Sequence, residues 1–280
     1  MIEVLKAGLN TSFQDQGRLF HRDKGVPVSG AMDLYAMKLA NRLVDNNENE
    51  AVIECTLMGP ELFFNEECYI SITGAEFSIK LNNKLISSGA RVYIPPKSTL
   101  KMGNAKNGIY GYIAIEGGYA INSVLGSFSH YPTIAPELKL TKGQKINYQT
   151  SSEKLKNYSR VAPIQQHFSS DKIDVFKGPE FSKLNVDLQK QLFNTSYTIG
   201  QTSNRMSTQL EHSKPFLASE IITCPVQPGT VQLTPDGKLM CLMRDAQTTG
   251  GYARIFQLTA HAMQVLAQKR AGEKVIFRAV

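Results

Sequence analysis

The sequence lacks most of the features that staple, anchor or self-equip a protein. Its 280 residues hold four cysteines, Cys55, Cys68, Cys224 and Cys241, at wide and irregular spacings with no Cys-x-x-Cys pair. That pattern argues against a structural zinc site and for buried free thiols in a reducing compartment. No apolar run reaches the roughly 18 residues of a membrane span, and Met1-Ile2-Glu3-Val4-Leu5-Lys6 lacks the basic stretch and apolar run of a signal peptide. A cytoplasmic protein with no membrane association is expected. Also missing are G-x-x-x-x-G-K-[ST], G-x-G-x-x-G after a strand, H-E-x-x-H and G-x-S-x-G, which disfavours the common self-contained enzymes. The five histidines, His21, His130, His167, His212 and His261, are far apart in sequence. They give no ligand spacing, and no metal is expected.

The net charge is +7, which invites a nucleic-acid partner because clustered Lys and Arg gain from counterion release. The clustering is missing: the basic residues are scattered, mostly singly, as solvated surface charge is. No nucleic acid is expected, whereas an acidic small molecule or an acidic partner protein fits the balance. Hydrophobic residues make up 42% of the chain, enough to fill two packed cores without a disulfide or metal.

The same landmarks occur twice in the same order. Ile53-Glu54 leads to Gly59-Pro60-Glu61, and Ile173-Asp174 leads to Gly178-Pro179-Glu180. Gly117-Gly118-Tyr119-Ala120 recurs as Gly250-Gly251-Tyr252-Ala253, and Gly143-Gln144-Lys145-Ile146 as Gly272-Glu273-Lys274-Val275. Three pairs in register mark a duplication, hence two related domains in tandem. The polar run from Thr150 to Asn157 places the boundary, giving 1–157, with the N-terminal motif segment and a helix, and 158–280.

Between the landmarks the dominant period is two. Phe77, Ile79 and Leu81 alternate with Ser78 and Lys80, and Asn82-Asn83 offers a turn into Lys84-Leu85-Ile86, a hairpin signature. Further strands are expected at 69–73, 91–94, 110–115, 229–233 and 239–244, and their spacing suggests antiparallel barrels. A helix is expected over 31–44, capped by Ser29, with Met32, Tyr35, Ala36, Leu39, Ala40 and Leu43 on one face. A weaker helix should follow Pro179, with Phe181, Leu184, Leu188 and Leu192 on one side. Ala36-Met37-Lys38-Leu39 resembles a biotin-attachment site, but a helical Lys38 lacks the exposed hairpin tip which that modification needs. Covalent biotin on this chain is not expected.

Three polar stretches are dense in functional groups: Asn10 to Arg18 with Gly25 to Asp33, Ser203 to Met206, and Arg244 to Tyr252. Arginine grips a carboxylate with two parallel hydrogen bonds, and Asp15 or Asp245 could orient a donor or act as base. Gly250-Gly251 permits close backbone approach and could present N–H groups to developing negative charge. The structural alternative is that the aspartates and glycines make turns, that Thr248 and Thr249 satisfy backbone groups, and that each arginine pairs with a nearby carboxylate.

The same stretches carry a resemblance. Phe13-Gln14-Asp15-Gln16-Gly17-Arg18, Gly25-Val26-Pro27-Val28-Ser29-Gly30-Ala31-Met32-Asp33, Ala40-Asn41-Arg42-Leu43-Val44, Glu54-Cys55-Thr56-Leu57-Met58-Gly59-Pro60, Glu116-Gly117-Gly118 and Asp245-Ala246-Gln247-Thr248-Thr249-Gly250-Gly251-Tyr252 look like the allophanate hydrolase subunit 2 family. It is also called the biotin-dependent carboxyltransferase family, and it includes the C-type subunit of 5-oxoprolinase and the Kip antagonist. The resemblance implies a mainly β fold of two tandem cyclophilin-like β-barrel domains. It also implies two partners in a hetero-oligomer: the smaller cyclophilin-like B-type subunit, which is of the Kip-inhibitor type, and the barrel-shaped A-type subunit. ATP would activate the lactam of 5-oxoproline for hydrolysis to glutamate, at a location in the complex that the resemblance leaves open. The alternatives within the family are a regulatory protein that binds a kinase inhibitor, and a carboxyltransferase subunit taking carboxybiotin from another chain. On the enzyme reading the catalytic residues are Asp245, Arg205 and Asp15, and the substrate-binding residues are Gln14, Arg18, Asn204, Gln247, Thr248, Gly250 and Gly251. Arg18 or Arg205 would hold the substrate carboxylate.

Two departures from the family pattern stand out. Gly126-Ser127-Phe128-Ser129-His130 replaces Gly-Ser-Arg-Ser-Thr, with a shortened stretch over 131–142, and Ser203-Asn204-Arg205-Met206-Ser207 replaces Ser-Asp-Arg-Met-Gly. The first removes a fixed positive charge and the second a carboxylate, so another substrate or a binding role stays open beside the usual reaction.

Overall fold

Alternating burial along the chain builds two β units. The structure, a computed structural model, describes residues 1–149, 161, 168–213, 216 and 221–280. By internal contacts one unit comprises Met1–Gly17 with Ser29–Ile164, and the other Arg18–Val28 with Gln165–Val280. The boundary expected between 157 and 158 lies outside the described residues. Arg18–Val28, assigned by sequence to the first domain, groups with the second unit.

In the first unit the sheet runs Asn10–Gln14, Val52–Thr56, Ser98–Ile115, Glu61–Phe64, Ile2–Lys6 and Lys145–Ile146, with Cys68–Leu81 branching from Ser98–Ile115. It forms a curled half-barrel. The segments expected as separate short strands at 69–73, 77–81 and 110–115 merge into two long strands, Cys68–Leu81 and Ser98–Ile115. Their register shifts between Gly74 and Glu76, Glu76 and Phe77, and Phe77 and Ile79. Such bulges bend a long strand without ending it. Asn82 and Asn83 take φ of 47° and 66°, as a tight hairpin turn requires. Ile2, Val4, Ile53, Leu62, Phe64 and Ile113 are fully buried beneath the sheet.

Helix α1 spans Leu34–Leu43, shorter than expected, and its cap is Asp33, whose carboxylate accepts from Ala36 N at 3.0 Å. Ser29 is not the cap; it sits before the helix, in the left-handed region with φ of 57°. The buried face is rotated from the expected one: Ala36, Met37, Ala40, Asn41 and Leu43 are inside, while Tyr35 is exposed. Ser71 and Thr73 explain the seating. Their hydroxyls donate to Ala40 O and Ala36 O, so the sheet supplies donors to helix carbonyls that buried residues leave accessible. Lys38 lies 3.8 Å from Glu48 on the helix's outer side.

The second unit is a closed seven-stranded barrel in the order Lys172–Lys177, Ala253–Leu258, Thr230–Leu233, Leu239–Leu242, Ser207–Glu211, Tyr197–Ile199 and Lys274–Ala279. All neighbours are antiparallel except the closing pair, where Lys172 to Val175 run parallel to Ile276 to Ala279. The helix expected after Pro179 is split into a 3-10 turn at Phe181–Lys183 and helix α2 at Val186–Asn194. Leu184 is extended between them, and Asn185 caps α2. Helix α3, Ala260–Ala267, has no counterpart in the expected elements; Thr259 caps it by accepting from Ala262 N. Phe256 centres an aromatic cluster with Phe181, Phe193 and Phe277 at centroid distances of 5.4, 5.0 and 4.9 Å, within the range of favourable ring packing.

The duplicated landmarks are only partly equivalent. Gly143 and Gly272 both turn left-handed, with φ of 83° and 89°, into the strands Lys145–Ile146 and Lys274–Ala279. Gly117 and Gly118 are also left-handed, but Gly250 and Gly251 are not. Gly59-Pro60 opens a strand, whereas Gly178-Pro179 opens the 3-10 turn.

No helix among the described residues is long and apolar enough to cross a membrane. The four cysteines are free, and burial pushes the Cys55 and Cys241 thiols far up and Cys68 up to about 12.

Candidate functional site

Asp15 is a scaffold centre in the first unit. Oδ1 accepts from Gly17 N, Ser127 Oγ and Ser129 Oγ at 2.8, 2.7 and 2.6 Å, and Oδ2 accepts from Phe128 N at 2.8 Å. Four donors on a carboxylate that is 4% exposed tie the N-terminal motif to the loop at 127–129. The divergence from the family pattern at Phe128 changes a side chain only, because the peptide N–H at that position is the one Asp15 holds. Gln14 is fully buried next to it, its Nε2 donating to Ser12 Oγ at 3.0 Å. Arg18, in the second unit, is 1% exposed, so its guanidinium is not presented to an incoming solute.

In the second unit Arg205 and Asp245, expected to act separately, form a two-pronged ion pair. Nε to Oδ2 is 2.8 Å and Nη2 to Oδ1 is 2.9 Å, and Asp245 N donates to Arg205 O at 2.9 Å. Bidentate pairs of this kind fix geometry as well as charge. Asn204 makes the turn before it, Oδ1 accepting from Met206 N at 2.8 Å and Ser207 N at 3.2 Å, a role asparagine and aspartate fill alike. The loop beyond Asp245 is then positioned step by step. Ala246 packs on Val226 and Leu242, Val226 N donates to Thr248 O at 3.0 Å, and Thr249–Gly250 pairs with Cys224–Pro225 in a two-stranded ribbon. Gln247 and Gly251 are half-buried along it.

The ribbon brings Thr248 and Thr249 to a cavity of about 910 Å³ on the second unit, the volume of a small-molecule site. Arg22, Lys177 and Arg254 supply cations and Asp23 an anion; Thr230, Gln227 and Gln257 supply hydroxyl and amide groups, with Phe256 and Val226 as apolar wall. Arg254 is held in place. Its Nε and Nη2 donate to the two oxygens of Glu180 at 2.9 and 3.0 Å, and Glu180 also accepts from Arg254 N at 3.0 Å. These hydrogen bonds push the Glu180 carboxyl below the usual range and the Arg254 guanidinium up. Arg22 donates to Val226 O, and burial pushes its guanidinium down. Gly178 is required beside this clamp, since a Cβ there would stand 2.2 Å from Arg254 O. With Glu180 balancing Arg254 and Asp23 balancing one further cation, the cavity keeps one positive charge, which suits a small carboxylate.

Of the ten residues expected to be catalytic or substrate-binding, Thr248 alone lines the cavity, with Thr249 and Gly25 from the same polar stretches beside it; Asp245, Gln247, Gly250 and Gly251 lie along the loop that carries Thr248, and Asn204 and Arg205 in the turn paired to it. Arg22, Lys177, Glu180 and Arg254 were missed. Glu180 stood in plain view as the last residue of a repeat landmark, and Arg254 follows the Gly250-Gly251-Tyr252-Ala253 landmark directly. Among the described residues no group of three His, Cys, Asp or Glu side chains is placed to hold a metal.

A model of the carboxyltransferase domain, subdomain A and B, matches residues 24–279. The chain is 31% identical over 290 residues to the C-type subunit of 5-oxoprolinase from Haemophilus influenzae, covering 100% of this chain and 91% of that one. It is 29% identical over 283 residues to the Escherichia coli protein of the same name, covering 99% and 90%. The crystal structure of the K. lactis urea amidolyase superposes with a TM-score of 0.88 at 26% identity, over 99% of this chain but only 18% of that one. The chain belongs to the carboxyltransferase domain, subdomain A and B, family.

Proposed function

We propose that this chain is the C-type subunit of a 5-oxoprolinase-like complex and binds a small cyclic amide acid in the second unit's cavity. The observation that carries this reading is its end-to-end similarity to two proteins named as the C-type subunit of 5-oxoprolinase. The cavity supports it: Arg22 and Lys177 offer the substrate carboxylate a positive charge, and Thr248 and Thr249 line the same space. Arg205 and Asp245 act as positioning residues that fix the 245–250 loop, and Asp15 fixes the N-terminal motif. The partners are the smaller B-type and the barrel-shaped A-type subunits. ATP is consumed by the complex. A cavity with one surplus positive charge does not match a triphosphate, and no step is assigned to ATP on this chain. Biotin is not attached to Lys38.

The test is glutamate formation from 5-oxoproline and ATP by A-type and B-type subunits from the same cell, with and without this chain. Turnover that requires the chain is expected; turnover of equal rate without it would overturn the reading. The fold shared with the K. lactis urea amidolyase favours a second reading, carboxyl transfer from carboxybiotin carried on another chain. That reading is tested by supplying carboxybiotin with urea as acceptor and following transfer of the carboxyl group to a urea nitrogen, the displaced urea proton going to biotin, with and without the chain; N-carboxylated urea formed at the same rate without the chain would overturn it.

A further inference from the structure

Behind the cavity wall lies a polar group that the fold leaves unused. Gln232 is 1% exposed, and its Nε2 has no hydrogen-bond partner among the described residues. Its position follows from the barrel. Thr230, two residues earlier on the same strand, lines the cavity, and Arg254, directly opposite Gln232 on the neighbouring strand, lines it too. Side chains two apart on a strand, and opposite each other across a pair, share a face. Val231 and its partner Cys241, on the regular side of the strand, fill the barrel interior instead, and a bulge between Val231 and Gln232 separates the Arg254 pairing from the Phe256 pairing on the other side. Gln232 therefore points outward, on the face that carries Thr230 and Arg254, and Gly250 of the two-stranded ribbon lies against its amide.

The contact is specific. A Cβ at Gly250 would stand 2.7 Å from Gln232 Nε2 and 3.5 Å from Val226 Cγ1. The amide thus occupies the space a side chain at position 250 would need, between two residues, Thr249 and Val226, that line the cavity. A buried donor without an acceptor is costly compared with an apolar residue of the same shape. Leucine or methionine would fill this place without that cost.

The geometry points to Gln232 as the specificity-determining residue of the cavity, its amide N–H reserved for the ring carbonyl oxygen of the ligand whose carboxylate meets Arg22 and Lys177. This rests on the cyclic amide acid reading above and adds to it which group is read, and by which residue. An uncharged amide suits the task, because it donates to a neutral carbonyl without adding a second positive charge that would retain any dicarboxylate. Gly250 belongs to the same device: the absence of its side chain brings the amide to the wall, with the rotatable Gln232 side chain behind it.

The test compares two probes that differ only in the ring carbonyl, 5-oxotetrahydrofuran-2-carboxylate and tetrahydrofuran-2-carboxylate, titrated calorimetrically into the full chain without ATP. Wild type should prefer the carbonyl-bearing ring by about tenfold, as one hydrogen bond to a buried donor gives. Gln232→Met should bring that ratio close to one without lowering the thermal unfolding midpoint. Gly250→Ala, whose methyl displaces the amide, should lower the ratio at least about threefold. An unchanged ratio in Gln232→Met, or no preference in wild type, would overturn the assignment. Chain-dependent glutamate formation with an unchanged ratio would sink the role of Gln232 alone. A Gln232-dependent ratio without chain-dependent turnover would sink the 5-oxoprolinase assignment alone.

Discussion

Replacing Asp15 by asparagine separates a scaffold carboxylate from a catalytic one. The side chain keeps its size, but one oxygen becomes an NH2 group. Its best orientation leaves the amide oxygen at the Oδ1 position, facing Gly17 N, Ser127 Oγ and Ser129 Oγ, and turns the NH2 group toward Phe128 N–H. One charge-assisted hydrogen bond is then lost, at roughly 1.5–3 kcal/mol, and a peptide N–H faces a donor, at roughly 1–3 kcal/mol more. Relief from burying a charge returns part of this, leaving about 3 kcal/mol of destabilisation. Urea unfolding followed by circular dichroism should show it: with a slope of about 3 kcal/mol per molar, the midpoint falls by about 1 M. A midpoint equal to or above wild type, together with abolished turnover in the reconstituted complex, would refute the scaffold assignment and return Asp15 to proton transfer.

The Glu180–Arg254 clamp makes stability depend on pH. Because Arg254 depresses the Glu180 carboxyl in the folded chain, its contribution is full above the ordinary glutamate range and is lost as pH falls toward the depressed value. From about pH 6 to about pH 3, wild type should therefore lose more stability than Glu180→Gln, measured by urea midpoints at each pH; parallel losses would contradict the clamp. Phe128→Arg should leave stability within about 0.5 kcal/mol, since the backbone N–H that Asp15 binds is retained, and a large drop in midpoint would show that the phenyl ring is packed into the fold. Streptavidin should not detect the purified chain from a biotin-replete host, because Lys38 is on the flank of α1 beside Glu48 rather than on a hairpin tip; a signal lost in Lys38→Arg would overturn this.

Much of the fold was legible where one local rule decides. Period-two alternation gave the strands around Phe77, Ile79 and Leu81, and Asn82-Asn83 gave the turn. What was hidden depends on distant partners. Strand ends vanish where bulges carry pairing through Gly74 to Ile79, and the face of α1 is set by the Ser71 and Thr73 hydroxyls beneath it, which helical spacing does not contain. Ser29 and Asp33 are both competent caps; only the left-handed backbone at Ser29 decides between them. At the candidate site the motif loops were visible, but their densest residues lie along the loops rather than on the cavity wall. Lys177 and Arg22, which face the cavity, are single basic residues in unremarked sequence, and nothing local sets them apart from solvated charge.

The parallel closing pair of the second unit has a consequence for how the chain is made. Lys172 sits beside Ile276, a separation of roughly a hundred residues, and contacts that distant form late in folding. Until Lys274–Ala279 leaves the ribosome, Lys172–Lys177 and Tyr197–Ile199 each lack a neighbour and expose a strand edge able to pair with another chain. Aggregation in cells should thus fall most heavily on nascent chains stalled before that strand, and a temperature-sensitive lesion there would act on yield before it acted on any property of the finished barrel.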